Sequence, residues 1–124
     1  GGLISMRLAL EPPDVYAGAA SLSGAFWPGQ DTDTALRDRL PAIGKVPVAI
    51  YLDHGGSAQG GGDGYADSIE IRDQLVGLGW VRGDSPACVR GGDAVCYHHE
   101  PGGTHDELAW RDRSWRWLRF LVGT

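Results

Sequence analysis

A chain of 124 residues is long enough to bury one core and no more. Its net charge of -5, from 11 Lys and Arg against 16 Asp and Glu, gives no basic footprint for nucleic acid. No run approaches the roughly 18 apolar residues of a membrane span, and the opening residues lack the basic-then-apolar layout of a signal peptide.

Residues 1–10 read as a helix already under way. Leu3, Met6 and Leu10 line one side, Ile4 and Leu8 flank them, and Pro12-Pro13 ends it, but no N-cap residue precedes it. A buried helix without a start signal implies chain upstream of Gly1. Residues 16–23 are small and apolar, as suits a strand covered on both faces, and residues 31–40 give a short helix capped by Asp31 or Thr32. Residues 46–53, a continuous run rich in β-branched side chains, form the clearest strand, with Pro47 tolerable near its start. The glycine loop over 54–64 is too long to be a mere connection. A helix with an Asp67-led cap then carries Ile71, Leu75 and Leu78 inward and ends at Gly79. Residues 80–93 read as a loop and 94–98 as a strand.

The last helix follows Pro101-Gly102-Gly103. Thr104 and Glu107 stand in capping-box spacing, which starts the helix at Thr104. Trp110, Ser114, Trp117, Leu118, Leu121 and Val122 share one helical face, with Arg111, Asp112, Arg113, Arg116 and Arg119 mostly opposite. The order helix, strand, helix, strand, helix, strand, helix predicts an α/β domain, a parallel sheet with helices on its faces.

In such sheets sites form at the carboxyl ends of strands. Those ends offer Ser23, the loop from Asp53 to Asp63, and His105. A His in a first helical turn lies near the positive end of the dipole, which favours the neutral ring a general base needs. A neutral His and an Asp on neighbouring loops are two thirds of a hydrolytic triad. Among the carboxylates, Asp67 is explained as a cap and Asp53 as a strand end. Asp63, between Gly62 and Gly64, has no such explanation beyond that of a solvated turn residue, and is the candidate acid. No G-x-S-x-G elbow occurs; Gly55-Gly56-Ser57-Ala58-Gln59 comes near it, but no helix starts behind Ser57. His98 and His99 would face opposite sides of a strand and so do not readily share a metal, and no cofactor is indicated. Cys88 and Cys96 are close enough across a glycine turn for a local disulfide, which would mean an oxidising compartment. Two buried free thiols fit almost as well, and a zinc pair less so.

The segment Pro101-Gly102-Gly103-Thr104-His105-Asp106-Glu107 followed by Trp110 resembles the catalytic-His segment of an esterase family of α/β-hydrolases. That family takes in enterochelin-esterase-like and feruloyl-esterase-like enzymes and esterase D. The strand up to Asp53, its glycine loop and Ile69-Glu70-Ile71-Arg72-Asp73-Gln74-Leu75 resemble the acid-bearing segment, and Asp63 falls where the acid stands. Gly1-Gly2-Leu3-Ile4-Ser5-Met6 resembles the end of G-x-S-x-G-G and the helix behind it. The resemblance implies that residues 1–124 are the carboxyl-terminal half of an α/β-hydrolase domain, with parallel strands and helices on both faces. The nucleophilic Ser would then lie two positions before Gly1.

The activity implied is that of a serine esterase working through an acyl-enzyme on a small-molecule ester, with His105 as base and Asp63 as its orienting acid. The 124 residues alone would be inactive, and a bare sheet edge would invite self-association. Two alternatives stand beside this reading. One is a noncatalytic α/β binding or interaction domain, the other a metal-dependent hydrolase using His98, His99 and His105.

Overall fold

The computed structural model describes residues 1–12, 14–32 and 34–123, without the side chain of Gln30. Four parallel strands, β1 (Gly18–Leu22), β2 (Ala49–His54), β3 (Val81–Asp84) and β4 (Ala94–His99), lie in the order β1-β2-β4-β3. Helices α1 (Gly2–Leu10), α2 (Leu36–Ile43) and α3 (Tyr65–Leu78) cover one face, and α4 (Glu107–Leu121) covers the other. The chain is an α/β fold, with a sheet whose central strands are buried on both sides.

Strand β2 shows why. All six of its residues are buried, and successive side chains alternate between the two layers. Ile50 and Leu52 join the core under α1, α2 and α3, whereas Ala49 and Tyr51 join Cys96 and Phe120 under α4. Each large side chain so buried stabilises the fold by roughly 1.5–3 kcal/mol. The same alternation sends Asp53 toward α4 and His54 toward α3, so two polar residues at the strand's end enter different surroundings.

Several boundaries differ from the sequence reading. Helix α1 is the exception and ends before Pro12 as expected, with Met6, Ala9 and Leu10 buried; the Pro13 part of its expected stop lies outside the described residues. The helix expected over 31–40 begins only at Leu36. Gln30–Thr32 forms a separate 3-10 turn, and neither Asp31 nor Thr32 caps α2, whose N-cap is Ala35; Asp33, inside the expected span, lies outside the described residues. Pro41 sits within α2 and cannot donate to the carbonyl of Arg37 four residues back; Gln74 Nε2 from α3 takes that carbonyl at 2.8 Å instead. Helix α3 starts at Tyr65 behind Gly64, whose φ of +70° makes the turn, so Asp67 lies in the first turn and is not the cap.

The stretch 80–93, expected to be a loop, contains β3, an exposed edge strand whose Val-Arg-Gly-Asp sequence carries no apolar alternation. Before it, Trp80 is buried and donates Nε1–H to the carbonyl of Val48 at 2.9 Å. Cys88 and Cys96 form a disulfide, Cα to Cα 5.6 Å, joining the loop after β3 to β4. That decides between the alternatives left open by spacing. Among the described residues no helix is long and apolar enough to cross a membrane.

The start of α4 also differs. Its N-cap is Asp106, whose side chain accepts from the amide of Ala109 at 2.9 Å, and Thr104 donates its hydroxyl to the Asp106 carboxylate. The Thr104–Glu107 capping box is therefore not made, and His105 precedes the helix instead of lying in its first turn. The inward face is rotated as well: Arg113 and Phe120 are buried with Trp117 and Leu121 packed inward, while Leu118 and Val122 are exposed.

Candidate active site

The loop after β2 and the loop after β4 lie against each other at the carboxyl edge of the sheet. Gly56 N–H donates to the carbonyl of Gly103 at 3.0 Å, and Gly102 N–H donates to the carbonyl of Gly56 at 3.1 Å. Gly55 makes this approach possible, because a Cβ there would stand 2.0 Å from the Gly103 carbonyl oxygen and 2.7 Å from Asp63 Oδ2. The glycines of both loops thus set the separation between the two candidate residues.

Asp63 and His105 meet across this seam. His105 Nδ1 lies 2.9 Å from Asp63 Oδ1. A carboxylate can only accept, so Nδ1 carries the proton and, in the neutral ring, Nε2 has its lone pair for a reacting group. The Asp63 side chain is 2% exposed and that of His105 is 58% exposed. The ring rests edge-on against Trp110, centroids 4.9 Å apart. It opens into a cleft of about 340 Å3 that it shares with Gly1, Gly2, Ser5, Ser23, Gly24 and Trp110. The start of α1 is therefore a wall of the same cleft.

Behind Asp63 is a polar cluster. Its Oδ2 accepts from Gly55 N–H at 2.6 Å and from the Ser23 hydroxyl at 2.7 Å. Ser23 Oγ in turn accepts from Arg113 Nη2 at 2.9 Å and from Trp110 Nε1 at 3.1 Å. The Arg113 guanidinium is buried. It engages Asp53 through Nη2 at 3.0 Å and Nε at 3.3 Å, and stands 3.9 Å from Asp63 Oδ2. Tyr51 donates its hydroxyl to Asp53 Oδ2 at 2.9 Å. Burial pushes the Asp53 carboxyl up from its ordinary range while the Arg113 bonds oppose it, and burial with the neighbouring Asp53 charge holds the Tyr51 phenol far above its own. Asp53, read from sequence as a strand end, is the counter-ion of a buried arginine.

Ser23 and Asp63 are the two non-glycine residues with positive φ among the described residues, at 51° and 46°. The left-handed region is uncommon for such residues and costs free energy that surrounding contacts must offset. Here the two strained residues hydrogen-bond each other.

The other expected candidates lie elsewhere. Ser57 Oγ accepts from Gly60 N–H within its own turn. Ser23 is buried, and its one proton is committed to Asp63, not to His105. His98 Nε2 donates to Glu100 Oε2 at 2.7 Å, and that bond holds the Glu100 carboxyl below the usual range. His99 Nε2 donates to the Gly56 carbonyl at 3.0 Å while its ring stacks on His54, 4.9 Å between centroids. Among the described residues no three His, Cys, Asp or Glu side chains come together as a metal site.

Arg113, Trp110 and Gly55 were missed as site residues by the sequence reading. Arg113 did leave a signal, being the one charge at an inward position in the series Trp110, Arg113, Trp117, Phe120. No family model, curated protein or solved structure matches the chain.

Proposed function

We propose that the chain carries the acid and base of a serine esterase, a carboxylic ester hydrolase acting on a small-molecule ester. The observation that carries the reading is the buried Asp63 carboxylate bound to Nδ1 of an exposed His105, whose ring opens on a cleft also walled by Gly1 and Gly2. A hydroxyl presented at the start of α1 would enter this cleft opposite His105. The resemblance puts the nucleophilic Ser two residues before Gly1, at that point.

In the proposed reaction His105 Nε2 takes the proton of the serine hydroxyl as the oxygen attacks the ester carbonyl. Asp63 holds the ring in the productive tautomer and stabilises the imidazolium. The imidazolium returns the proton to the leaving alcohol as the acyl-enzyme forms. Water, deprotonated at the same nitrogen, then releases the acid and regenerates the serine.

The test is fluorophosphonate labelling of the 124-residue chain and of a form extended by the residues encoded immediately before Gly1. We expect no labelling of the short chain. In the extended form we expect labelling at a Ser two positions before Gly1, lost on His105→Ala. Stoichiometric labelling of Ser23 or Ser57, or an upstream sequence without that Ser, overturns the reading.

A further inference from the structure

We infer that Ser23 is a positioning residue for the Asp63–His105 pair, and that Arg113, shared between Asp53 and Asp63, sets how strongly Asp63 accepts from His105.

A serine hydroxyl has one proton to give and two lone pairs to receive with. Both lone pairs of Ser23 Oγ are taken, by Arg113 Nη2 at 2.9 Å and Trp110 Nε1 at 3.1 Å, so its proton has one destination, Asp63 Oδ2 at 2.7 Å. Gly55 N–H closes the same oxygen from the backbone. With Oδ2 held by two donors, Oδ1 is aimed at His105 and the carboxylate cannot rotate without breaking both bonds. Arg113 is itself held in place by the two-point contact with Asp53.

The arrangement also divides charge. Arg113 lies between two carboxylates, 3.0 Å from Asp53 and 3.9 Å from Asp63. Asp53 draws the cation away, which leaves Asp63 able to act as a full acceptor toward the imidazole. Without the cation Ser23 is still held by Trp110 Nε1 and Asp63 Oδ2 by Ser23 and Gly55, so the loss of charge should dominate and strengthen the Asp63–His105 bond, whereas removing Asp53 should weaken it by giving Arg113 wholly to Asp63. A merely structural network would loosen in both cases and shift the bond one way.

This inference rests on reading Asp63 and His105 as acid and base, but its test does not need activity. In the 124-residue chain, nuclear magnetic resonance of the His105 ring reports the Nδ1–H proton and the tautomer. Arg113→Met should move that proton downfield and Asp53→Asn upfield. Ser23→Ala, which leaves the buried ion pair intact, should raise the fraction of Nε2–H tautomer. In an active extended form, Ser23→Ala should lower kcat about a hundred-fold, as expected for misplacement of a catalytic group, with KM nearly unchanged. Shifts in the same direction for the two charge variants, or an unaltered tautomer in Ser23→Ala, overturn the inference. If either charge variant fails to fold, Ser23→Ala decides alone. Opposed shifts together with ester hydrolysis indifferent to His105→Ala would sink the proposed function and leave the positioning network standing.

Discussion

Two histidines at the carboxyl edge of the sheet, His54 at the end of β2 and His105 in the loop between β4 and α4, are built in opposite ways. His54 is fully buried, with Nδ1–H donating to the Gly55 carbonyl at 2.8 Å and Nε2 accepting from the Tyr97 hydroxyl at 2.6 Å. Its ring stacks on His99 and meets Tyr65 edge-on. Both nitrogens are used by neutral partners, and burial holds the imidazole below its ordinary range. His105 has a carboxylate on one nitrogen and an open cleft on the other side of the ring. A histidine whose two nitrogens are both spent is a structural strut. One anchored through a single nitrogen by a charged partner is equipped to move a proton.

The comparison breaks or holds on substitution. In an active extended form, His105→Ala should lower turnover about a million-fold, by analogy with other serine hydrolases, with thermal stability nearly unchanged. Asp63→Asn should cost less, about ten-thousand-fold, because the base remains and only its tautomer and charge stabilisation suffer. Asp53→Asn giving the larger loss of the two would reverse the roles of the carboxylates. Both effects are read as kcat/KM for an aryl ester.

His54→Ala should show the converse signature. It leaves a cavity and an unpaired Tyr97 hydroxyl, and should cost roughly 2–4 kcal/mol in urea unfolding. The pH dependence sharpens the contrast. Because the folded-state value of His54 is depressed, the unfolded chain binds the proton first as pH falls. The stability from keeping His54 neutral is complete above the unfolded value of about 6.5 and is lost progressively below it, until the folded ring protonates. Asp53, raised by burial, acts in the opposite sense. The quantity to measure is therefore the difference between wild type and His54→Gln at pH 7.5 and 5.0, which should shrink on acidification.

Smaller effects belong to the loops around the two rings. Reducing Cys88–Cys96 should cost about 2–3 kcal/mol through the freedom restored to the unfolded chain. Alkylation of unreduced, denatured protein should modify no thiol, and two modified thiols would remove the bond. Asp106→Ala should lower the unfolding temperature by only a few degrees while Asp67→Ala has less effect, since Asp106 and not Asp67 is the cap. An equal loss for both would put the helix starts in doubt.

The sequence made the layers legible where burial wrote a pattern. The run around Ile50 and Leu52 announced a strand covered on both sides, and the glycines around Asp63 marked that loop as built for something. Strand β3 was hidden because Val81, Arg82, Gly83 and Asp84 are exposed and pair only along the backbone, which leaves no side-chain period to read. The Asp106 cap was hidden because Thr104 and Glu107 offered equally good local chemistry; the backbone is still extended at Asp106, so the helix starts only at Glu107. Arg113 was hidden by its charge. A helical position reading as solvent-facing proved to be the deepest contact of α4, because Asp53 waits beneath it.

The two edges of the sheet are unlike. On one side β3 is four residues long, bears Arg82 and Asp84 linked by a 2.9 Å ion pair, and is followed by the loop that the disulfide ties to β4. On the other, β1 reads Gly-Ala-Ala-Ser-Leu, pairs only with β2 among the described residues, and borders an apolar hollow of about 540 Å3 between Leu8, Tyr16, Trp117 and Leu121. Charges and brevity discourage strand addition at the first edge and nothing comparable does so at the second. Among the described residues the sheet therefore has one side unprotected against a further strand. A further strand laid along β1 would extend the sheet at that side and not at β3.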